Sequence, residues 1–224
     1  MTSPAWHVDT VLLDVDGTLI DSNYHHTMAW WRAFTETGHQ VPAWRVHRAI
    51  GMGGDRLVAA VADEQTEESA GDDIRTAWER HYDAVLESVP ALPGAAELIH
   101  GLQDRGLQVA IASSGLPRHT QHAIDLLDAD GDVDTVTTSE DAEASKPRPD
   151  LLQVALDRVD GERAVLVGDS VWDVQSAKEA GLQVVGVLTG GFGRAELEGA
   201  GADVVCQDLE ELLRRADELI DPGR

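Results

Sequence analysis

Short apolar runs bounded by Gly, Pro and Asp recur along this chain, and helical stretches separate them. The first run, residues 8–16 with Val11-Leu12-Leu13 at its centre, predicts a buried strand. After Pro90 the two periods alternate. Helix 95–105 precedes strand 108–112, helix 117–127, a short strand 135–138 and a helix opened by Pro149. Strand 164–168, helix 171–180 and strands 184–187 and 204–206 follow, and Asp208 caps a last helix to Ile220. Residues 22–88 differ. Tyr24 to Phe34, Leu57 to Ala62 and Ile74 to Leu86 are patterned as helices, with Gly38, Pro42 and Gly51 to Gly54 as breaks. Alternating strands and helices imply an α/β fold, a parallel sheet with helices on both faces. The helical block enters just after the first strand.

Composition narrows the function classes. The 224 residues carry a formal net charge of −24, which argues against nucleic acid or an anionic membrane as partner. Lysine occurs only at 146 and 178. Such a surface suits a high-salt cytoplasm, or equally an ordinary acidic surface from a GC-rich genome. Cys206 is the only cysteine, so no internal disulfide is expected, and its place after Val204-Val205 predicts a packed strand position. No basic-then-apolar leader and no long apolar run is seen, so a cytoplasmic protein is expected. A monomer or a dimer is equally compatible with these features.

Ligands of parallel α/β sheets bind outside the carboxyl ends of the strands. Four polar segments fall there. Asp14-Val15-Asp16-Gly17-Thr18 ends the first strand, where two carboxylates would share one face if the strand continued. Ser113-Ser114-Gly115 follows strand 108–112. Lys146 lies in Ser145-Lys146-Pro147-Arg148-Pro149-Asp150, and Gly168-Asp169-Ser170-Val171-Trp172-Asp173 follows strand 164–168. Two bare carboxylates 4 Å apart repel by about 4 kcal/mol at an effective dielectric of ~20. Four together call for a cation, and Mg²⁺ is the default hard ion where phosphate also binds. With a lysine, a hydroxyl and backbone N–H groups, the set suits a phosphoryl group attacked by a carboxylate.

The same set resembles the haloacid dehalogenase superfamily of phosphotransferases: Asp14 to Thr18, Ser113, Lys146 to Asp150, and Gly168 to Asp173, in order over most of the chain. The resemblance implies a Rossmann-like core, residues 1–20 and 88–224, with an inserted helical cap domain, residues 21–87. It implies that Asp14 is the nucleophile and Asp16 the general acid/base, with the Asp16 backbone carbonyl on the metal. Thr18, Ser113, Ser114 and Lys146 would hold the phosphoryl group. Asp14, Asp16, Asp169 and Asp173 would hold Mg²⁺, with Asp173 either a ligand or an anchor behind one. A Mg²⁺-dependent phosphatase of a small phosphorylated metabolite, a sugar phosphate or a phosphoglycolate-like compound, is the expected activity. A hexose-phosphate mutase and a non-catalytic phosphate-binding protein are the alternatives. Asp16 disfavours dehalogenation, whose enzymes lack the second aspartate. The insert has no lysine, which disfavours Schiff-base phosphonate cleavage. The segment 21–30, with His26, is similar to the start of the mutase cap.

An acidic protein must still accept an anion. Between Ser22 and Gly54 only Glu36 is acidic, and the segment carries Arg32, Arg45, Arg48 and four histidines. Asp55 to Glu87 holds ten acids against three arginines. This asymmetry predicts that the first half of the insert faces the site, with Arg45, His47, Arg48 and His26 as substrate-reading candidates. The competing reading makes Trp30, Trp31, Trp44 and Val46 an apolar cap core that excludes acids by burial. Other features point less far. His119 and His122 read as helix-face residues, Gly190-Gly191-Phe192-Gly193 as a flexible turn, and the acids of 63–73 as a solvated helix face or loop.

Overall fold

The computed structural model describes residues 6–142, 145–159 and 161–221. Chain ends 1–5 and 222–224, which the expected core division takes in, lie outside the described residues. After β1 (Trp6–His7) and β2 (Thr10–Leu13) come four helices, α1 (Asn23–Glu36), α2 (Ala43–Ala49), α3 (Gly54–Val61) and α4 (Glu64–Asp83). The alternating part comprises α5 (Ala95–Gln103), β3 (Gln108–Ala112), α6 (Pro117–Leu126), β4 (Thr135–Thr137) and α7 (Asp150–Val159). It continues with β5 (Ala164–Gly168), α8 (Val171–Glu179), β6 (Gln183–Val187), α9 (Arg194–Ala200), β7 (Val204–Cys206), α10 (Leu209–Leu219) and β8 (Ile220–Asp221).

Six strands form a parallel sheet in the order β4-β3-β2-β5-β6-β7, while β1 pairs with β8 in a separate parallel ribbon. Parallel strands are apolar on both faces because helices cover both. Accordingly, Val11, Leu13, Val109, Ile111, Val165 and Val167 pack with α5, α6 and α10. Their neighbours Leu12, Ala110, Ala112 and Leu166 pack with α7, α8 and α9 on the opposite face. Chain order reverses between β2 and β5, and the crevice opens at such a switch point. Cys206 is buried in β7 as expected.

The inserted helices have a core of their own, with Trp30, Phe34, Val46, Leu57, Val61 and Ile74 buried together. The structure completes the expected pattern at two places. Residues 43–49, which lie between the predicted breaks at Pro42 and Gly51 without an element assigned to them, form α2, because Val46 and Ala49 are buried against the other helices. The acidic run of 63–73 is the start of α4, whose first turn is capped by Asp63 accepting from the Thr66 N–H at 2.8 Å. Gly71 and Ile74 turn inward while most of the acids stay in water, so of the two readings of this run the solvated helix face holds. Among the described residues, no helix is long and apolar enough to cross a membrane.

Candidate active site

The ladder of β2 stops at Leu13, so the first strand does not run to residue 16. Gly17, at φ +76°, turns the chain back, and its N–H donates to the Ile20 carbonyl at 2.9 Å. Asp14 and Asp16 therefore take separate partners instead of sharing one strand face.

Asp14 faces the switch point. One of its oxygens, Oδ1, lies 2.5 Å from Lys146 Nζ, and Oδ2 accepts from the Thr18 hydroxyl at 3.3 Å. Lys146 is fully buried and also donates to the Ala112 carbonyl at 3.0 Å. Its Nζ is 2.8 Å from Asp173 Oδ1, close enough for an ion pair though not aligned as a hydrogen bond. The other Asp173 oxygen accepts from Ser170 Oγ at 2.5 Å and closes the capping box at the start of α8. One residue thus starts a helix and anchors the lysine. Asp169 accepts from Thr18 at 3.1 Å and from Asn23 Nδ2 at 2.8 Å.

Carboxylate oxygens of Asp14, Asp169 and Asp173 lie within 4.8 Å of one another, all buried. Burial pushes the Asp14 carboxyl up to about 7, against the pull of Lys146. Burial, reinforced by Asp173 and Asp14, likewise raises Asp169 well above the ordinary carboxylate range. Crowding of hard oxygen donors at this strain fits a divalent cation, which would neutralise the charge that burial penalises. The Asp16 carboxylate is not part of this group. Its Oδ1 accepts from Ser22 Oγ at 2.5 Å and lies 2.9 Å from His26 Nε2. Burial alone would raise Asp16, but His26 and Ser22 bring it down to about 2. The His26 ring is stacked on Tyr82 at 3.7 Å between centroids, which fixes its edge toward Asp16.

Above Asp14 and Asp16 lies a small recess of about 50 Å³, walled by His26, Trp30, Ile50, Trp78 and Ser114. Ser113 is buried beneath it and accepts from the Gly115 N–H at 3.0 Å, shaping the loop. A second cavity of about 300 Å³ opens alongside and shares Gly54, Trp78 and Ser114 with the recess.

Of the insert candidates, His26 reaches the recess and the others stand elsewhere. His47 Nε2 meets the Gly190 carbonyl at 3.2 Å, and its ring stacks on Tyr24. Arg48 pairs with Glu196 at 2.5 Å and lies over the Phe192 ring at 3.9 Å. Its carbonyl accepts from Trp172 Nε1 at 3.2 Å. These contacts belong to the seam between the insert and the sheet's end. Arg45 is exposed, without a side-chain ion pair or hydrogen bond among the described residues. Trp30 and Val46 do lie in the insert's core, whereas Trp44 is 68 % exposed and Trp31 is exposed as well.

The glycine turn after β6 is a wall of the site. The Gly190 carbonyl accepts from Asn23, and a Cβ on Gly190 would overlap the Asp169 carboxylate. His119 is buried, because Asp83 at the end of α4 binds its Nε2 at 2.7 Å. Ser22, Asn23 and Trp78 were given no role from the sequence, and Gly190 was read only as part of a flexible turn. The β6 turn signal was legible, but its partners lie more than a hundred residues away.

The core is thus a parallel α/β sheet with a buried lysine and a cluster of three carboxylates at its switch point, under a helical insert. The chain belongs to the haloacid dehalogenase-like hydrolase family, whose profile matches residues 8–181, and it is an enzyme of the phosphatase type. It is 28 % identical over 215 residues to the validoxylamine A 7'-phosphate phosphatase of Streptomyces hygroscopicus subsp. limoneus, spanning 90 % of this chain and 94 % of the relative. Similarity to the pyrophosphatase PpaX of Bacillus cereus is 28 % over 214 residues, 92 % of this chain and 95 % of that one. A hydrolase from Pseudomonas syringae superimposes with a TM-score of 0.90 at 31 % identity, covering 95 % of this chain and 99 % of that one.

Proposed function

We propose that the protein is a Mg²⁺-dependent phosphatase of a small phosphorylated metabolite, working through an aspartyl-phosphate, with residues 21–87 acting as a cap. The observation that carries this reading is Asp14, on the recess floor, with Lys146 on one oxygen and Thr18 on the other. A carboxylate held this way has its orientation set before the substrate arrives. Asp14, Asp169 and Asp173, with the Asp16 backbone carbonyl, would hold the cation, which supplies positive charge to the phosphoryl oxygens.

In the first step an Asp14 oxygen bonds to phosphorus as the ester P–O bond breaks, and the Asp16–His26 pair, joined at 2.9 Å, delivers a proton to the leaving oxygen, since the Asp16 carboxylate alone, held at about 2, carries none near neutral pH. Water then attacks phosphorus, its proton passes to Asp16, and the acyl-phosphate bond to Asp14 breaks. Lys146, Ser113, Ser114 and Thr18 bind phosphoryl oxygens as charge builds on them. The buried Trp30 and stacked Trp78 keep bulk water out of the recess during the first step.

A panel of phosphate monoesters with Mg²⁺ tests the reading. Phosphate release by the native protein and none by Asp14→Asn is expected. Conversion of a hexose phosphate to its isomer without release identifies a mutase instead, and full activity in Asp14→Asn overturns the mechanism.

A further inference from the structure

The cavity beside the recess has a charge pattern that selects among phosphate esters. Its polar lining comes from Asp55, Arg75, Glu79, Ser114, Ser139 and Ser145, with Trp78 at the junction to the recess. Arg75 is the cation of that lining, and it is already spoken for. Its Nη1 donates to Glu67 at 3.0 Å and to the Gly54 carbonyl at 3.1 Å, and its Nη2 lies 2.9 Å from both Glu67 and Asp72. Glu79 pairs with Arg118 at 2.7 Å, but Arg118 also serves both oxygens of Asp83 at 3.0 Å. Among the described residues, Asp55 has only a neutral partner, the Ser145 hydroxyl at 2.5 Å. Lys146 is buried under Asp14 and cannot reach the cavity.

The cavity thus presents carboxylates in excess and no uncommitted cation among the described residues. A second phosphate or a carboxylate on the leaving group would enter a negative field without a partner. Hydroxyls fare differently, because carboxylates accept from them. Ser114 Oγ and Trp78 Nε1, on residues shared by recess and cavity, have no hydrogen-bond partner among the described residues. Trp78, its ring stacked on Trp30 at 4.7 Å, adds apolar surface where recess and cavity join.

Resting on the phosphatase reading, we infer that the substrate is a monophosphate whose leaving group is uncharged or cationic and hydroxyl-bearing, such as a sugar or polyol. Doubly anionic esters are selected against by the Asp55/Glu79 cavity.

Three esters of one size test this: 2-hydroxyethyl phosphate, phosphoethanolamine and 2-phosphoglycolate, whose leaving groups are neutral, cationic and anionic. With p-nitrophenyl phosphate as a general phosphatase control, the first two are expected to exceed phosphoglycolate in kcat/KM by about tenfold, the scale on which one unpaired charge acts at several Å. In Asp55→Asn/Glu79→Gln, with its Tm checked against the native protein, that gap should shrink by at least about threefold through better phosphoglycolate KM. Equal or preferred use of phosphoglycolate by the native protein overturns the inference and leaves the phosphatase reading standing. So does an unchanged gap in the folded double variant. No turnover of any ester, the control included, overturns both.

Discussion

The two halves of the helical insert differ in composition and divide the site in a way that composition only partly suggests. The acid-poor half, α1 and α2, carries the arginines expected to read an anionic substrate, yet Arg48 and His47 dock on the loop and helix that follow β6. The acid-rich half, α3 and α4, supplies Asp55, Arg75, Trp78 and Glu79 to the cavity beside Asp14. The difference teaches what depletion of acids reports in a protein of net charge −24. A surface that lies against an acidic core loses its acids because like charges repel there, whether or not a substrate is nearby. The acid-poor half does reach the site, through His26 on Asp16, Asn23 on Asp169, and Trp30 and Ile50 in the recess wall, but not through its arginines.

Experiments can break this comparison. The reference is Asp14→Asn, which should lower kcat by at least about a thousandfold, the scale of losing a covalent catalytic group. His26→Ala should lower kcat by about 10–100-fold with little change in KM, because Asp16 loses the group that orients it. A rise in KM alone would show that His26 reads substrate instead. Arg48→Ala should move kcat and KM together by about two- to fivefold, as seam residues do, because exposed ion pairs are worth about 0–1 kcal/mol. A KM rise with unchanged kcat would restore Arg48 as a substrate contact. Arg45→Ala should leave both constants unchanged, since its side chain is exposed and unpaired among the described residues.

The smallest effect concerns pH and the anchoring of α4. Burial holds the His119 imidazole below its ordinary 6.5, with the Asp83 contact opposing that shift. A group whose value is depressed on folding stabilises the fold above its unfolded value, and loses that contribution as pH falls toward the folded one. Between about pH 7.5 and about pH 5.5, Tm of the native protein should therefore fall by about 2 °C more than that of His119→Gln. Equal slopes would show that burial of the His119 imidazole carries no pH-linked stability.

Legibility divides by distance along the chain. Strands β2, β3, β5, β6 and β7 were readable because uninterrupted Val, Leu, Ile and Ala runs between turn residues have few other uses. Helix α2 was not, because its burial comes from packing against its neighbours. In the site, Asp14, Ser113, Lys146 and Asp169 were legible through their positions after strands or before a helix. Asn23 and Gly190 were not, since their meaning is a mutual contact at 3.1 Å between residues 167 positions apart.

Local physics therefore determined a good deal by itself. The order of strands and helices, the parallel sheet and the polar residues at strand ends all follow from periodicities and turn chemistry that act over a few residues. The tertiary structure decided what depends on which surfaces meet. It separated Asp14 from Asp16, gave Asp173 to Lys146, set Arg48 against Glu196 and placed the cavity on α3 and α4. Each of those outcomes is a balance of burial against charge pairing between distant segments, and no window along the chain contains both sides of it.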